Sequence, residues 1–222
     1  MIIQNCKLTY FDFPGRGESA RIALSIGNVK FTDDRIQFPQ WKELKPTTPW
    51  GSLPVLTLSD GTEIAQQRAI LRLIGKATGL YPTDVIAAAK VDSIMDAVED
   101  IGGKTNAEGQ GLPQAEKEAA RKAACTEEGG ATYEILKKID SVIGSNEGCY
   151  AVGKSLTIAD LCIYVGSCTL ISGLYDGIPK DALDSFHNLA ILRKAVRSNP
   201  AVSKWYDGLD KSVKVPTSFG KI

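Results

Sequence analysis

Two kinds of hydrophobic spacing divide the chain. Up to Tyr81, short β-branched and aromatic runs alternate with stretches of helical spacing, whereas beyond Pro82 helical spacing is the only regular pattern. The first pattern predicts strands at 6–11, 31–36, 54–58 and 62–64 and helices at 18–26, 40–44 and 66–77. Gly79 stands where a left-handed cap would end the last of these helices. The sequence therefore predicts an α+β domain of order βαβαββα at residues 1–81, followed by an all-α domain at residues 85–222.

The helix signals in the second part differ in strength. Thr157 and Asp160 have the spacing of a capping box directly before an apolar run, so a helix is predicted to begin there. A long helix is predicted over 114–143, with Gly129-Gly130 as a point at which it could bend or split. Shorter helices are predicted at 182–197 and 201–209, and the tail from Pro216 onward is predicted to be loose.

Composition and charge narrow the classes of partner. Hydrophobic residues make up 43% of the 222 residues and charged residues 23%, which is typical of a folded globular protein. The 26 basic residues equal the 26 acidic residues in number, so there is no excess positive charge for a long nucleic-acid footprint. The longest uncharged run, from Leu161 to Tyr175, is shorter than the roughly 20 residues that cross a bilayer. We expect neither a nucleic acid nor a membrane as a partner.

Cysteine and histidine usage excludes several common sites. The five cysteines are odd in number, scattered and without a C-x-x-C pair, which predicts reduced thiols and a cytoplasmic protein. The first ten residues contain no apolar stretch of signal-peptide length. His187 is the only histidine, so a zinc site or a catalytic triad would rest on it alone, and we expect a surface or capping role. No G-x-x-x-x-G-K-[ST] occurs, and Gly15-Arg16-Gly17 is too short for a dinucleotide fingerprint.

The loop between the first strand and the first helix is the best place for chemistry. Tyr10 lies near the end of the strand and Arg16 at the entrance of the helix, where unpaired backbone N–H groups favour anions. Taken alone, a tyrosine at such a position is in most cases a packing residue of the strand. Pro54 precedes another strand. As a cis proline it would turn the backbone of Leu53 toward an extended peptide-like ligand, and as a trans proline it would only begin the strand.

These features occur in a fixed order with further motifs that are specific in combination. The N-terminal part contains Leu8-Thr9-Tyr10-Phe11, Gly15-Arg16-Gly17-Glu18 with Arg21, Trp41 and Lys45, Ser52-Leu53-Pro54-Val55-Leu56, Asp60-Gly61 and Gln66-Gln67-Arg68-Ala69-Ile70. The C-terminal part contains Val91-Asp92-x-Ile94 with Asp100, and Gly153-Lys154-x-x-Thr157-Ile158-Ala159-Asp160. Over nearly its whole length the chain resembles the cytosolic glutathione transferases, and among their classes it is most similar to the sigma class.

The resemblance implies a thioredoxin-like domain followed by an all-helical domain, a homodimer, and a detoxification-type enzyme. In the implied reaction the thiol of glutathione, the co-substrate, attacks a small apolar electrophile, with Tyr10 as the catalytic residue and no metal required. The implied glutathione-binding residues are Tyr10, Arg16, Trp41, Lys45, Leu53, Pro54, Gln66, Gln67 and, from the neighbouring subunit, Asp100. Gln67 departs from the family, in which serine is usual, although a glutamine amide can still donate to a carboxylate.

The resemblance also implies a site for the second substrate. Its implied residues are Phe11, Phe13, Gly15, Gly103 and Ala107, with the tail around Phe219 as a cover. Next to Gly103, Asp92, Asp96 and Asp100 form an acidic row on one predicted helix. Such a row is either a solvated face or a site for a divalent cation, and the spacing does not decide between them.

The sequence gives less support to a cysteine-based or serine-type enzyme than to one that uses Tyr10. A cysteine-based enzyme needs a thiol in the loop 12–17, which contains none, and Cys6 lies earlier in the strand. A serine-type enzyme needs its serine at the start of the first helix, but Ser19 falls within the helix. Two alternative functions remain: an isomerase that converts a prostaglandin endoperoxide with the same thiolate, and a non-catalytic member that carries ligands or serves as a structural protein.

Overall fold

A computed structural model of the chain describes residues 3–213 and 215–220. The elements of its first part are β1 (Cys6–Phe11), α1 (Gly15–Ile26), β2 (Phe31–Ile36), α2 (Phe38–Leu44), a 3₁₀ turn (Lys45–Thr47), β3 (Val55–Thr57), β4 (Glu63–Ala65) and α3 (Gln67–Thr78). The later elements are α4 (Val85–Ala107), α5 (Gln114–Thr126), α6 (Ala131–Gly144), α7 (Ile158–Leu170), α8 (His187–Arg197), α9 (Pro200–Asp207) and a 3₁₀ turn (Thr217–Phe219).

The four strands form one mixed sheet in the order β2-β1-β3-β4. β1 pairs in parallel with β2, with Tyr10 opposite Arg35, because α1 carries the chain across between them. β3 runs antiparallel to β1, with Leu8 opposite Leu56, and β4 runs antiparallel to β3. This sheet with its helices confirms the predicted thioredoxin-like βαβαββα order. It places the end of β1, and with it Tyr10, at the centre of the sheet.

The core of the first part lies between the sheet and the helices α1 and α3. Leu8 and Leu56 of the sheet, Leu24 of α1 and Ile70 of α3 are fully buried. α3 ends as predicted at Gly79, whose φ of 77° is the left-handed conformation that glycine adopts most readily. The packed helices hold β1 rigidly behind the loop that follows it.

The helical core is built around α7. Most of α7 is buried, and the helix packs on α4 and α8. Its start is the predicted capping box: the Asp160 carboxylate accepts the backbone N–H of Thr157 at 2.7 Å, the Thr157 hydroxyl at 2.9 Å and the backbone N–H of Ala151 at 2.7 Å. The predicted helix after Thr157 is therefore confirmed.

Three predicted segments differ in the structure. The long helix predicted at 114–143 is split into α5 and α6, because Gly129 takes a φ of 86° and a Cβ on Gly130 would lie 2.5 Å from the carbonyl oxygen of Ala124. The segment predicted as helical from 182 begins its helix only at His187. The described part of the tail, residues 216–220, is not loose, because Phe219 is buried and its carbonyl oxygen accepts the Tyr164 hydroxyl at 3.3 Å.

Contacts divide the described residues into two compact units, one in the ranges Met1–Thr83 and Ser198–Val215 and the other in the ranges Asp84–Arg197 and Pro216–Ile222. This grouping places α9 with the first unit. The indole N–H of Trp205 donates to Glu18 Oε1 at 2.9 Å, and its ring lies 5.9 Å from that of Phe31. The predicted division at 1–81 and 85–222 stays a prediction, and the contacts add 198–215 to the first unit.

Other features of the described chain bear on the expectations from composition. Cys6, Cys125, Cys149, Cys162 and Cys168 are all free thiols. His187 is exposed at the first position of α8. Judged by length and hydropathy, none of the helices in residues 3–213 and 215–220 could span a bilayer.

Candidate active site

Tyr10 is the last residue but one of β1, just before the first loop. Its side chain is only 5% exposed, and its hydroxyl oxygen accepts the backbone N–H of Arg16 at 3.0 Å. This N–H belongs to the first turn of α1, so the phenol oxygen lies against the positive end of that helix. The bond uses a lone pair of the oxygen, and the hydroxyl keeps its capacity to donate.

Two glycines allow the loop to close on the phenol. A Cβ on Gly15, whose φ is 46°, would lie 2.7 Å from the Tyr10 hydroxyl oxygen, and a Cβ on Gly17 would lie 2.6 Å from the Tyr10 ring. Neither position has room for a side chain next to the ring. The predicted motif Gly15-Arg16-Gly17 is therefore a tight wrapping of Tyr10, and Gly15 borders the hydroxyl itself.

A buried arginine fixes this loop from behind. Arg21, on α1, is fully buried and donates to the carbonyl oxygens of Phe11 at 3.0 Å and Phe13 at 2.9 Å. Its charge is compensated by Glu18 at 3.2 Å and Asp33 at 2.8 Å. Burial opposes the charge, but these carboxylates outweigh it and raise the pKa of the Arg21 guanidinium. The guanidinium carbon also lies 5.6 Å from the centre of the Tyr10 ring.

The buried network continues to the outer strand. The second carboxylate oxygen of Asp33 accepts from Arg35 Nε at 2.6 Å, and Arg35 also donates to Asp12 Oδ1 at 3.2 Å. Asp12 lies in the first loop, so the loop is held by Arg21 on one side and Arg35 on the other. Charge-assisted bonds of this kind are the strong ones in proteins, and together they leave the loop little freedom.

An aromatic cluster made of Phe11, Phe13 and Phe38 covers the outside of the loop. The three rings stack on one another: the centres of Phe11 and Phe13 lie 5.7 Å apart at 5°, those of Phe11 and Phe38 4.7 Å apart at 30°, and those of Phe13 and Phe38 6.3 Å apart at 25°. Tyr10 meets Phe11 and Phe13 edge-on at 5.5 and 5.6 Å. Trp41 meets Phe11 edge-on at 6.1 Å. The structure thus brings Tyr10, Phe11, Phe13, Gly15 and Trp41 together.

Other predicted residues of the first unit border the sheet. The Leu53–Pro54 peptide bond is cis, which is the alternative that turns the backbone outward. Gln66 caps α3 with a φ of 74°, a rare conformation for a residue with a side chain and one that is frequent at functional sites. Gln67 is the first residue of α3, and Lys45 is exposed just after α2. Their contacts with glutathione stay predictions, as does that of Arg16, whose side chain is exposed.

The remaining predicted residues lie on α4 in the second unit. Asp100, Gly103 and Ala107 are all exposed there. Asp100 lines a cavity of about 350 Å³ between α4, α6 and α7. Phe219 is buried against the Tyr164 ring within the second unit. Among the described residues, no group of three or more His, Cys, Asp or Glu side chains is arranged to hold a metal ion, and the role of the acidic row stays a prediction.

Two buried thiols, Cys6 and Cys125, do not resemble activated nucleophiles. Burial raises the pKa of Cys6 on β1, although a backbone hydrogen bond acts in the other direction. Burial raises the pKa of Cys125 to about 11. A catalytic cysteine needs a lowered pKa and some access, so these environments argue against Cys6 and Cys125 as nucleophiles.

The sequence analysis assigns no role to four residues that the structure places at the site. Glu18 and Arg21 were noticed as part of a motif without a role, although their i,i+3 spacing on one helix was a signal for an ion pair. Phe38 belongs to a short helix that was predicted to begin two residues later. Trp205 had no sequence signal, because its contact with Glu18 joins residues 187 positions apart.

Comparison with known proteins gives the same assignment over the whole chain. A family model for the glutathione S-transferase C-terminal domain matches residues 111–208. Glutathione S-transferase 1 of Ascaris suum is 35% identical over 202 residues, covering 90% of this chain and 94% of that protein. Hematopoietic prostaglandin D synthase of Gallus gallus is 33% identical over 203 residues, again covering 90% and 94%.

Solved structures agree with the sequence relatives. The structure of rat hPGDS complexed with a quinoline matches with a TM-score of 0.79 at 28% identity, covering 95% of this chain and 100% of that chain. Glutathione S-transferase of Ascaris lumbricoides matches with a TM-score of 0.76 at 32% identity and similar coverage. The motifs of both halves, the thioredoxin-like sheet and these identities together show that the chain belongs to the glutathione S-transferase family.

Proposed function

We propose that this protein is a glutathione transferase of the detoxification type, which joins the sulfur of glutathione to small apolar electrophiles. The observation that carries the proposal is the position of the Tyr10 hydroxyl, buried at the end of β1 and bonded to the backbone N–H of Arg16 at 3.0 Å. Family membership supports the reaction class, and this geometry supports the residue. We further propose that it works as a cytoplasmic homodimer.

The proposed task of Tyr10 is to keep the glutathione sulfur ionised. A thiol with a pKa of about 8.5 is about 3% thiolate at pH 7, and the thiolate is the nucleophile. Lowering this pKa by about 2 units requires about 2.7 kcal/mol of differential stabilisation. A hydrogen bond donated to a charged acceptor contributes about 1.5–3 kcal/mol, and a helix N-terminus about 0.3–1 kcal/mol. The phenol and the first turn of α1 together are of the required size.

The proposed reaction conserves charge and atoms. The thiol proton leaves to solvent when glutathione is bound as thiolate. The sulfur lone pair then forms a C–S bond with the electrophilic carbon. With a chloro-aromatic acceptor the C–Cl bond breaks and chloride departs with the bonding pair, and with an unsaturated carbonyl acceptor the new carbanion takes a proton from water. Tyr10 remains the hydrogen-bond donor to sulfur and is not consumed.

Glutathione itself is proposed to lie beside Leu53, in the segment that precedes β3, and at the start of α3. Leu53, ahead of cis-Pro54, would pair its backbone with the tripeptide, as an extended strand would. Gln66 and Gln67 would hold the γ-glutamyl end at the start of α3, and Trp41 and Lys45 the glycine end. Asp100 of the neighbouring subunit would bind the γ-glutamyl amine. The proposal requires no metal.

The test compares two tyrosine-to-phenylalanine changes. Tyr10→Phe should lower kcat/KM with a chloro-dinitro-aromatic acceptor about 10- to 100-fold near pH 7, and the absorbance of bound thiolate should appear only about 2 pH units higher. Tyr164→Phe is the matched control, because Tyr164 is a buried tyrosine of the helical core. Full conjugating activity of Tyr10→Phe across pH 6 to 8 would show that another group activates the sulfur.

A second candidate is glutathione-dependent isomerisation of a prostaglandin endoperoxide. It is favoured by one observation, the 33% identity with a protein named hematopoietic prostaglandin D synthase. The same thiolate would serve, but it would be returned unchanged at the end of each turnover. Product analysis with an endoperoxide and with a chloro-aromatic acceptor separates the two functions. Retention on immobilised glutathione without turnover of either would instead indicate a ligand-carrying or structural member.

A further inference from the structure

Phe38 is the most exposed member of the aromatic cluster. Phe38 is 67% exposed at the first position of α2. Its inner face stacks on Phe11 at 4.7 Å with an interplanar angle of 30°. A ring that is stacked on one face and open to solvent on the other offers a flat apolar surface on which a second planar group can stack.

The start of α2 holds this ring in place. The backbone N–H of Gln37 donates to Gln40 Oε1 at 2.7 Å, which closes the first turn of the helix. The Gln37 side-chain amide donates to Asp12 Oδ2 at 3.4 Å, which ties the same turn to the first loop. Pro39 fixes the backbone at the first positions of the helix. The ring of Phe38 is therefore presented in a fixed orientation beside the loop of Tyr10.

The cluster runs continuously from the reactive group to the open ring. A Cβ on Gly15 would lie 2.7 Å from both the Tyr10 hydroxyl oxygen and Phe13 Cε2, so the Phe13 ring borders the phenol. The Phe13 ring is stacked with the rings of Phe11 and Phe38. Aromatic rings prefer offset-stacked neighbours at about 4.5–7 Å, and this spacing describes all three pairs.

We propose that Phe38 is a specificity-determining residue that selects planar aromatic electrophiles by stacking on the aromatic cluster. The inference rests on the proposed function only in placing the glutathione sulfur at Tyr10. The ring of the acceptor packs parallel to the Phe38 and Phe13 rings, and its reactive carbon is thereby directed toward the phenol. Flexible aliphatic electrophiles gain less, because they offer no flat face and lose more conformational freedom when bound.

The covalent step is the one given for the transferase. The glutathione thiolate forms the C–S bond at the ring carbon, the C–Cl bond breaks, and chloride leaves with its electron pair. Phe38 contacts only the ring of the acceptor and takes part in no bond change. Its effect is on the relative binding of two acceptors in the transition state, which is measured as a ratio of kcat/KM values.

The experiment measures the ratio of kcat/KM for a chloro-dinitrobenzene to that for a linear 2-alkenal. Phe38→Leu, which keeps apolar bulk but removes the flat ring, should lower this ratio about 2- to 12-fold. Phe38→Trp should restore it to within about twofold of the unchanged protein. Val85→Ala is the control for loss of exposed apolar surface, because Val85 is 75% exposed at the start of α4 and should leave the ratio unchanged.

Several results would overturn the proposal. An equal loss with both acceptors in Phe38→Leu would show a general effect on the loop. No loss at all, or a Phe38→Trp variant as poor as Phe38→Leu, would show that stacking is not used. A changed oligomeric state in sedimentation, with an unchanged ratio, would assign the ring to a contact between copies. Thiolate absorbance of bound glutathione, read without any electrophile, tests Tyr10 separately from Phe38.

Discussion

The two units of the molecule bury polar groups for different purposes. In the first unit the fully buried Arg21 is paired with Glu18 and Asp33 and ends on the carbonyl oxygens of the loop beside Tyr10. In the second unit the fully buried Asp160 ends on the backbone N–H groups at the start of α7. The first network positions the loop beside Tyr10, and the second set of hydrogen bonds stabilises the start of α7.

The difference teaches where loss of function and loss of stability should separate. Removing Arg21 leaves its carboxylates without their counter-charge, and removing Asp160 leaves buried N–H groups without an acceptor, so both units are sensitive to such changes. Only in the first unit does the network also set the place of a proposed catalytic group. We therefore expect variants of the Arg21 network to change both activity and stability, and variants of Asp160 to change stability alone.

The largest effect is expected for Arg21→Met. Removing the guanidinium leaves the buried Glu18 and the partly buried Asp33 without their counter-charge, which should lower the free energy of unfolding by about 3–5 kcal/mol. In the fraction that still folds, the thiolate of bound glutathione should form at higher pH, because the carbonyl oxygens of Phe11 and Phe13 lose their donor. Urea unfolding and thiolate absorbance measure the two effects.

A matched charge removal shows whether position matters for Arg21. Lys7→Met breaks an exposed pair with Asp34 in the same sheet, whose atoms are 4.0 Å apart. Its cost should stay below about 1 kcal/mol, and its pH profile should be that of the unchanged protein. A normal pH profile in folded Arg21→Met would remove the link between the buried network and Tyr10.

The next largest effect is expected for Asp160→Ala. Two backbone N–H groups, of Ala151 and Thr157, lose their acceptor in a buried place, which should cost about 2–4 kcal/mol of unfolding free energy. Glutathione affinity per folded molecule should not change. Asp84→Ala is the control, because Asp84 caps α4 through Ala87 at 2.8 Å in an exposed place and should cost about 1 kcal/mol. Weaker glutathione binding in folded Asp160→Ala would break the proposed separation.

The smallest effect is expected for Trp205→Phe. This change keeps an aromatic ring near Phe31 but removes the indole N–H that donates to Glu18 at 2.9 Å. Because the acceptor is a carboxylate, the cost should be about 1–2 kcal/mol. We also expect kcat/KM to fall about two- to fivefold. Glu18 pairs with Arg21, which holds the loop, and a loss of up to about 1 kcal/mol of transition-state stabilisation gives a change of this size. A lower free energy of unfolding with an unchanged kcat/KM would show that Trp205 contributes to stability alone.

Local patterns predicted most of the fold, since neighbouring residues determine strand and helix periods. The strands β1 and β2 have the predicted bounds, and the capping box at Thr157 begins a helix as predicted. The helix predicted at 114–143, for which the sequence allowed a bend or a split at Gly129-Gly130, is divided there into α5 and α6. The prediction of a loose tail was wrong for Phe219, because its burial depends on a partner 55 residues away.

The candidate site was predictable only in part. Tyr10, the glycines of its loop and cis-Pro54 were found from motifs, and the structure places the phenol at the N-terminus of α1. The residues that support the phenol from behind or extend its aromatic wall were not found. Hydrogen bonds of Arg21 to carbonyl oxygens and the stacking of Phe38 on Phe11 leave no trace in residue type or spacing.

By itself, the amino-acid sequence determined the family, the order of strands and helices, and the identity of the phenol beside the first helix. These follow from short-range periodicity and from motifs that are contiguous in the chain. Tertiary structure alone decided which side chains hold that phenol in place, that α9 joins the first unit, and that Phe38 stacks on the loop. Such contacts join residues far apart in sequence, and only packing in three dimensions brings them within hydrogen-bond or ring-stacking distance.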